Sequence, residues 1–356
     1  MSMHYLILGF GLTGKAVFNF LIKHHAIENI VITVFDEKIT EINNLLSTFN
    51  NNITVNLIHS ILDIPTHSKI DLAIASPGIN PRIYYDFLVN ILNVRVISDI
   101  QLFVDAIHNK TEQNYIYSIT GTNGKSTVCS LLHFLLDKNK KLDNKVSLGG
   151  NFGVPAVDLV KQENINHNVN NVIHEYVLEL SSYQLELTDK LYSLAAVCLN
   201  ITPDHLVWHN GMINYINAKL RVYNNSTFDI VNADDQLLLS KYISLVLPKK
   251  NKLGHLILYS NISTYSELYQ NLLNFDVSLK DVNYSLITIE SYQNKSYICI
   301  NQEQIIAVDL LPFMLRTKHN LSNLLAVIGM LLAKYSIFDL SSSVKEFLLA
   351  YLQHAK

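Results

Sequence analysis

The sequence predicts an α/β protein built from successive open, parallel-rich sheets. Three observations predict it. Short β-branched apolar runs alternate with helical stretches through the first hundred residues. Two glycine-rich turns, Gly9–Gly14 and Gly121–Thr127, each stand between such a run and a helix. The 356-residue chain is 49% hydrophobic and 16% charged, which suits more than one large core and argues against disorder.

In chain order, Tyr5–Leu8 is a continuous apolar run ending in glycine, as a strand buried on both faces reads. Gly14–His25 reads as a helix, Ile30–Phe35 as a second strand ending at Asp36, and Ile53–Ile58 and Asp71–Ala75 as two more. Pro81–Leu92 is helical in pattern, and Val94–Ile97 closes a doubly wound unit. A polar stretch, His108–Asn114, precedes the strand Tyr115–Ile119, which runs into GTNGKST and a helix over Ser126–Asp137. Further buried strands are expected at Tyr176–Leu180 and Leu194–Leu199, and a helix at Met212–Tyr223. Lys249–Val308 carries short strand-like runs with no readable function, and His319–Lys334 and Ser341–Leu352 read as amphipathic helices.

A net charge of −3 offers no basic field for nucleic acid. Cys129, Cys198 and Cys299 are few, odd in number and far apart, which fits free thiols in a reducing compartment. The start, MSMHYLILGFGL, lacks a basic n-region, and no apolar run reaches 18 residues, so neither a signal peptide nor a membrane span is expected. These features predict a cytoplasmic protein.

The strongest local signal is Gly121-Thr122-Asn123-Gly124-Lys125-Ser126-Thr127. Glycines let backbone N–H groups turn toward phosphate oxygens, and the following helix presents its positive N-terminus to the same anion. Lys125 would reach the β- and γ-phosphates, and Ser126 would offer a hydroxyl to Mg²⁺. The pattern is shorter than G-x-x-x-x-G-K-[ST], since position 119 is Ile, and a glycine turn with an incidental lysine is the bland alternative.

Gly9-Phe10-Gly11-Leu12-Thr13-Gly14 is the second such loop, and Asp36 stands where a ribose-binding carboxylate would. NAD is the obvious ligand, and tight helix–strand packing the alternative. No hydride-transfer apparatus accompanies it, so two loops suggest an ATP site plus a site for a nucleotide-linked substrate.

Glu179 ends an apolar strand, where a carboxylate is costly unless paired or metal-bound; Mg²⁺ and a water-facing strand end are the two readings. Asp204 and His205 follow the next strand and could ligate metal or position a substrate, whereas His209 reads as structural. Lys219 reads blandly as a solvated helix-face charge. Asn320 and Asn323 place two amides on one helix face, fit either for a base edge or for capping.

Taken together, GTNGKST, Leu-Gly-Gly-Asn151, LELSSYQLE, LNITPDH, NAKLRVY and HNLSNLLA follow the order and approximate spacing of the Mur ligases. The Gly9–Gly14 loop, Ala75-Ser76-Pro77-Gly78-Ile79, Ser98–Phe103 and LELSSYQLE resemble the D-glutamate-adding members in particular. The resemblance covers essentially the whole chain. It implies a Rossmann-like UDP-binding domain over 1–98 and an ATP-binding central domain over 99–353. It implies a ligase that phosphorylates the carboxylate of UDP-N-acetylmuramoyl-L-alanine with ATP and Mg²⁺, then passes the acyl group to D-glutamate.

By resemblance, Gly121–Thr127 with Asn320 and Asn323 hold ATP, the two amides at adenine. Ser126, Glu179, His205 and a carbamylated Lys219 ligate Mg²⁺. Lys125, Glu179, His205 and Lys219 carry the catalysis. Leu12, Thr13, Asp36, Ser76, Gly78, Asn151, Ser181 and His205 contact the UDP-linked substrate.

Two departures stand out. The family's D-H-x-D-x-H run has Val207 as its fourth residue. Family members also continue past a His-Arg pair, matched here by His354-Ala355, for a further domain of about a hundred residues or more. The resemblance therefore implies that 354–356 is the stub of a third, C-terminal Rossmann-like domain that is missing. The chain by itself is then not expected to ligate D-glutamate, and a separately encoded C-terminal domain is one implied partner. A non-catalytic nucleotide-binding remnant, half of a split ligase, and another Mur-type amide ligase are the alternative readings.

Overall fold

The computed structural model describes residues 2–25, 28–39, 52–84, 86–108, 114–138, 144–160, 173–250, 255–273 and 282–337. The expected helix at Ser341–Leu352 and the segment 354–356 lie outside them. The chain forms two compact units that are not sequential. One comprises Met1–Lys110, Gly149–His167 and Ser181–Lys190; the other comprises Thr111–Leu148, Asn168–Leu180 and Leu191–Lys356.

In the first unit, β1 (Met3–Leu8), β2 (Ile30–Phe35), β3 (Ile53–Ile58), β4 (Leu72–Ala75) and β5 (Val96–Ser98) make a parallel sheet of order β3-β2-β1-β4-β5. Leu6, Ile7 and Leu8 of the central strand are fully buried, which is why β1 reads as an unbroken apolar run. Leu6, Leu8, Phe35, Ile61, Ala73 and Leu88 belong to one core. The order reverses beside β1, and the chain leaves that switch point through Gly9 into α1 (Leu12–His24).

The helical reading of Pro81–Leu92 holds, but the coil is not an α-helix. The segment is a 3-10 turn at Pro81–Ile83 followed by a wide π-type turn at Asp86–Ile91. Leu92 N–H reaches back five residues to Phe87 O at 2.9 Å, and Val94 N–H to Leu88 O at 2.8 Å, which widens the coil past α geometry.

Helix α2 (Asp99–His108) completes this unit, and the segment 181–190 packs on it through buried polar bonds. Gln184 Nε2 donates to Asp99 at 3.0 Å, Gln101 Oε1 accepts from Asp189 N–H and Lys190 N–H at 2.8 and 3.0 Å, and Ser98 and Thr188 share a hydroxyl bond at 2.7 Å. Burial pushes the Asp99 carboxyl up to about 6, with the Gln184 amide working against it.

The second unit holds β6 (Asn114–Thr120), β7 (Asn144–Gly150), β8 (Ile173–Glu179), β9 (Ala195–Cys198), β10 (Phe228–Asn232), β11 (His255–Tyr259), β12 (Asn283–Tyr292), β13 (Lys295–Ile300) and β14 (Glu303–Ala307). Their order is β14-β13-β12-β11-β10-β9-β6-β8-β7. The ladders joining β8, β6, β9, β10, β11 and β12 are parallel, and the last two, β12–β13 and β13–β14, are antiparallel. The stretch Lys249–Val308, unreadable in sequence, thus supplies β11 and the two hairpins. Gln293-Asn294 and Asn301-Gln302 turn those hairpins with positive φ at both positions, so the turns lack the glycine that usually marks them.

The expectation that His319–Lys334 is amphipathic is corrected. It is helix α5 (Lys318–Ile337), and every residue from Asn323 to Tyr335 is buried. It lies against β9, β10 and β11, with Leu324–Ala333 inside the main core. A helix buried all round has no polar face to read.

Lys334 carries the one charge on that buried stretch, and its Nζ donates to Glu175 Oε1 at 2.7 Å. The same carboxylate accepts from Tyr117 Oη at 2.8 Å and Asn144 Nδ2 at 2.5 Å. Lys334→Ala would strand a buried carboxylate and is expected to cost about 3–5 kcal/mol. Urea unfolding of both proteins measures it; a midpoint equal to wild type would show that the pair contributes nothing net.

Candidate nucleotide site at the carboxyl ends of β6, β8 and β9

β9, β6 and β8 are consecutive strands toward the β7 side of the second sheet, and their carboxyl ends sit together. Parallel sheets place ligands there, because loops and helix N-termini converge on that edge. Three sequence motifs meet at it: Gly121–Thr127 after β6, Glu179 at the end of β8, and Asn200–His205 after β9.

Helix α3 (Lys125–Lys138) starts inside the glycine loop. Val128 N–H donates to Gly124 O at 3.0 Å, which leaves the first-turn amides of Lys125, Ser126 and Thr127 without an intrahelical acceptor. Gly124 has φ +87°, which side chains rarely adopt, and a Cβ on it would lie 2.6 Å from Asn323 Oδ1. The amides of Thr122 and Asn123 are already engaged, donating to Asn200 O at 3.0 Å and Asn200 Oδ1 at 2.8 Å. Asn200, Thr202 and Tyr215 hold the loop, and sequence reading gave none of them a role. Asn200 and Thr202 stand in the LNITPDH stretch, two and four residues past β9, and Tyr215 on α4 (Met212–Leu220).

Lys125 Nζ folds back over the loop, donating to Gly121 O at 2.9 Å and Thr122 O at 3.0 Å. Ser126 Oγ donates to Glu179 Oε2 at 2.7 Å. Glu179 is 3% exposed, so it is not a water-facing strand end.

Lys219, on α4 (Met212–Leu220), is 2% exposed, which removes its bland reading as a solvated charge. Its Nζ donates to Gly121 O at 2.8 Å and Thr120 Oγ1 at 3.5 Å, and stands 5.0 Å from the Tyr215 ring centre. Burial, with the nearby Lys125 charge adding to it, pulls the Lys219 amine down to about 8, against an opposing pull from the Cys198 thiol.

His205 is exposed, with φ +50° and its Nε2 3.3 Å from Asp204 Oδ2. His209 is fully buried, packed against Trp208 and Tyr215. Val207 is 98% exposed, so valine in place of the family's aspartate deprives no buried group of a partner. Asn320 Nδ2 donates to Met314 O at 2.8 Å, closing the turn before α5, whereas Asn323 Nδ2 is buried without a hydrogen-bond partner. Among the described residues, no three His, Cys, Asp or Glu side chains converge as a metal-binding group. All three cysteines are free and buried.

The remaining residues assigned by resemblance lie in the first unit. A Cβ on Gly14 would meet Gly9 O at 2.0 Å, so the first glycine loop has no room for a side chain there. Asp36 accepts from Phe10 N–H and Lys38 N–H at 2.8 and 2.9 Å. Burial pushes its carboxyl up, but these backbone bonds outweigh it and hold the group below the usual carboxylate range. Leu12 is 72% exposed, Thr13 is half-buried and Gly78 is exposed, while Ser76 Oγ donates to Gly9 O at 2.9 Å. Asn151 is exposed in the turn closed by Gly150 N–H and Val154 O. Ser181 caps the short helix Ser182–Glu186, paired with Gln184 in a capping box.

The family model described as the Mur ligase middle domain matches residues 119–331. Over 235 residues the chain is 37% identical to the UDP-N-acetylmuramoylalanine–D-glutamate ligase of Buchnera aphidicola subsp. Acyrthosiphon pisum (strain Tuc7), covering 65% of this chain and 47% of that protein. Against the ligase of the same name from Vibrio vulnificus (strain YJ016) it is 32% identical over 270 residues, 74% of this chain and 50% of that protein. The chain spans about half the length of the curated relatives it matches.

The solved structure of UDP-N-acetylmuramate:L-alanyl-gamma-D-glutamyl-meso-diaminopimelate ligase from Neisseria meningitides aligns over 98% of both chains with a TM-score of 0.52 and 16% identity, a likeness of fold. Among the described residues no helix is long and apolar enough to cross a membrane. With more than half of its length matching the middle-domain model, this chain belongs to the Mur ligase family.

Proposed function

We propose that this chain carries the ATP-binding and UDP-substrate-binding parts of an amide ligase that joins D-glutamate to UDP-N-acetylmuramoyl-L-alanine. The observation that carries the reading is the cluster around Gly121: two lysines on one loop carbonyl, a serine–glutamate pair at the helix start, and three first-turn amides with no acceptor inside the helix. Such a site suits a polyanion whose charge grows during transfer. The relatives bearing the D-glutamate ligase name support the substrate class.

In this reading, the α3 amides and Lys125 grip the ATP phosphates and orient the terminal one toward the substrate carboxylate. That carboxylate attacks phosphorus, the bond to ADP breaks, and an acyl phosphate results. The amine of D-glutamate then attacks the acyl carbon, phosphate leaves, and the amine gives up a proton. The oxygens of Ser126 and Glu179, already 2.7 Å apart, fit a hard cation such as Mg²⁺. His205 would hold a second Mg²⁺, a carbamate on Lys219 would add an oxygen ligand, and the bound ions would offset phosphate charge. Asn320 and Asn323 serve the adenine. Leu12, Thr13, Asp36, Ser76, Gly78, Asn151 and Ser181 serve the UDP-linked substrate, the last two from the segments of the first unit that lie beyond a UDP-binding domain ending at residue 98.

Three measurements test this. Titrating the wild-type chain with MgATP should give saturable binding, and Lys125→Ala should weaken it by about tenfold or more, since the lost bonds are charge-assisted; equal affinities would remove Lys125 from the role.

Thermal shift separates the two readings of the first glycine loop. UDP-N-acetylmuramoyl-L-alanine should raise the melting temperature and NAD⁺ should not, because only a ligand that prefers the folded state stabilises it. Stabilisation by NAD⁺ alone would overturn the assignment.

Carbamylation tests Lys219. The neutral amine adds to CO₂ and releases one proton, so uptake follows the unprotonated fraction. With the amine near pH 8, that fraction climbs through pH 8, about two units below a surface lysine. Carbon-13 bicarbonate should give a carbamate resonance that grows between pH 7 and 9 and vanishes in Lys219→Met. Its absence from the wild type at pH 9 would count against the modification.

A further inference from the structure

We propose that Asn200 is a positioning residue that holds the first half of the phosphate loop in its nucleotide-ready shape before nucleotide arrives. The proposal deepens the reading of Gly121–Thr127 as an ATP loop and rests on it for its functional consequence.

The parallel ladder between β6 and β9 pairs Tyr117 with Ala195 through to Thr120 with Cys198. It does not stop where the strands stop. Leu199 N–H donates to Thr120 O at 2.9 Å, and Thr122 N–H donates to Asn200 O at 3.0 Å. At the next position the backbones no longer pair, and the Asn200 carboxamide takes over. Its Oδ1 accepts from Asn123 N–H at 2.8 Å, and its Nδ2 donates to Asn123 O at 3.0 Å. A primary carboxamide offers one acceptor and one donor in a plane, as a peptide group does, so it can stand in for a missing backbone rung. The Thr122 hydroxyl adds two bonds to the same segment, accepting from Thr202 N–H at 3.0 Å and donating to Thr202 O at 3.2 Å.

Asn200 is itself held from behind. Asn232 Nδ2 donates to Leu199 O at 2.8 Å, and Asp235 Oδ2 accepts from Ile201 N–H at 2.7 Å while its other oxygen caps the helix Gln236–Lys241. The residues on either side of Asn200 are thus pinned to β10 and the helix after it.

The loop consequently divides in two. The amides of Thr122 and Asn123 are consumed by the latch and face Asn200. The amides at the start of α3 have no such partner and are left for phosphate. Asn200 need not touch nucleotide. It fixes the conformation that points the other amides outward, and a preorganised anion site loses less on binding than one that must fold around its ligand.

The test uses the full chain, wild type and Asn200→Ala, with two readouts. Amide hydrogen exchange without nucleotide should show the Asn123 amide protected in wild type and at least tenfold faster in Asn200→Ala, with the β6 amides unchanged. Binding should show MgATP about tenfold weaker in the variant and adenosine, which has no phosphate for the loop to hold, unaltered. Asn200→Asp keeps the acceptor for Asn123 N–H and loses only the donor, so it should keep that amide protected. It serves as the exchange probe should Asn200→Ala fold poorly.

Exchange and MgATP affinity both within twofold of wild type in Asn200→Ala would overturn the proposal, as would equal weakening of ATP and adenosine or an unprotected Asn123 amide in Asn200→Asp. If the wild type itself bound no MgATP, the nucleotide reading would fall, and the exchange measurement would still decide the latch.

Discussion

The second unit depends on one constraint: the ladder between β6 and β9 must end in a loop that is rigid yet leaves backbone donors unspent. A strand that ran on would consume those amides in pairing, and an untethered glycine loop would lose them to disorder. The structure meets both demands by changing partners residue by residue. Backbone pairs with backbone as far as Thr122, a carboxamide replaces backbone at Asn123, and from Lys125 the helix takes over with its first turn unpaired. Gly124 stands where latch and helix meet, at a positive φ that side chains rarely adopt and close to the Asn323 amide. Glu179, Lys219 and Asn323 all reach the loop from elements packed on this arrangement.

Much of this was legible in the sequence because the physics behind it is local. A parallel strand buried on both faces is a run of apolar residues, so β1, β2, β6, β8 and β9 could be placed to within a few residues. A glycine loop between strand and helix announces itself by composition. What stayed hidden was set by partners distant in sequence. Lys219 has the pattern of a helix-face charge, and only the packing of α4 against the loop makes it a buried amine. Helix α5 was misread as amphipathic because its single buried charge, Lys334, is satisfied by Glu175, 159 residues away. Asn200 stands in the LNITPDH stretch, but what its amide replaces shows only beside the neighbouring strand.

The stretch LELSSYQLELTDK shows a further limit of reading along the chain. As sequence it is one motif. As structure its first part ends β8, with Leu180 N–H on Ile119 O in the second unit, and its second part, from Ser181, satisfies Asp99, Gln101 and Ser98 in the first. A contiguous motif need not mark a contiguous domain, because burying Asp99 and Gln101 requires donors and acceptors from wherever the chain can bring them.

The charges around Gly121 say what kind of ligand the loop is built for. Lys125 and Lys219 both donate to the same carbonyl, at 2.9 and 2.8 Å, and the positive end of α3 begins beside them. The acceptors of Lys219 are a carbonyl and a hydroxyl, neither of them charged, and its amine is pulled down accordingly. Lys219 is the buried one of the two lysines, and a charge there is costly although Glu179 lies nearby. The repulsion between the two lysines can be relieved in two ways that the geometry permits together. Lys125 can leave the carbonyl for a phosphate, and Lys219 can give up its proton and take on the negative charge of a carbamate. The first places a cation on the anion being transferred. The second turns a repulsive neighbour of that cation into an oxygen donor beside Glu179. In the proposed reading Lys125 would serve the polyphosphate directly, whereas an anionic carbamate on Lys219 would serve it only through a bound cation such as Mg²⁺.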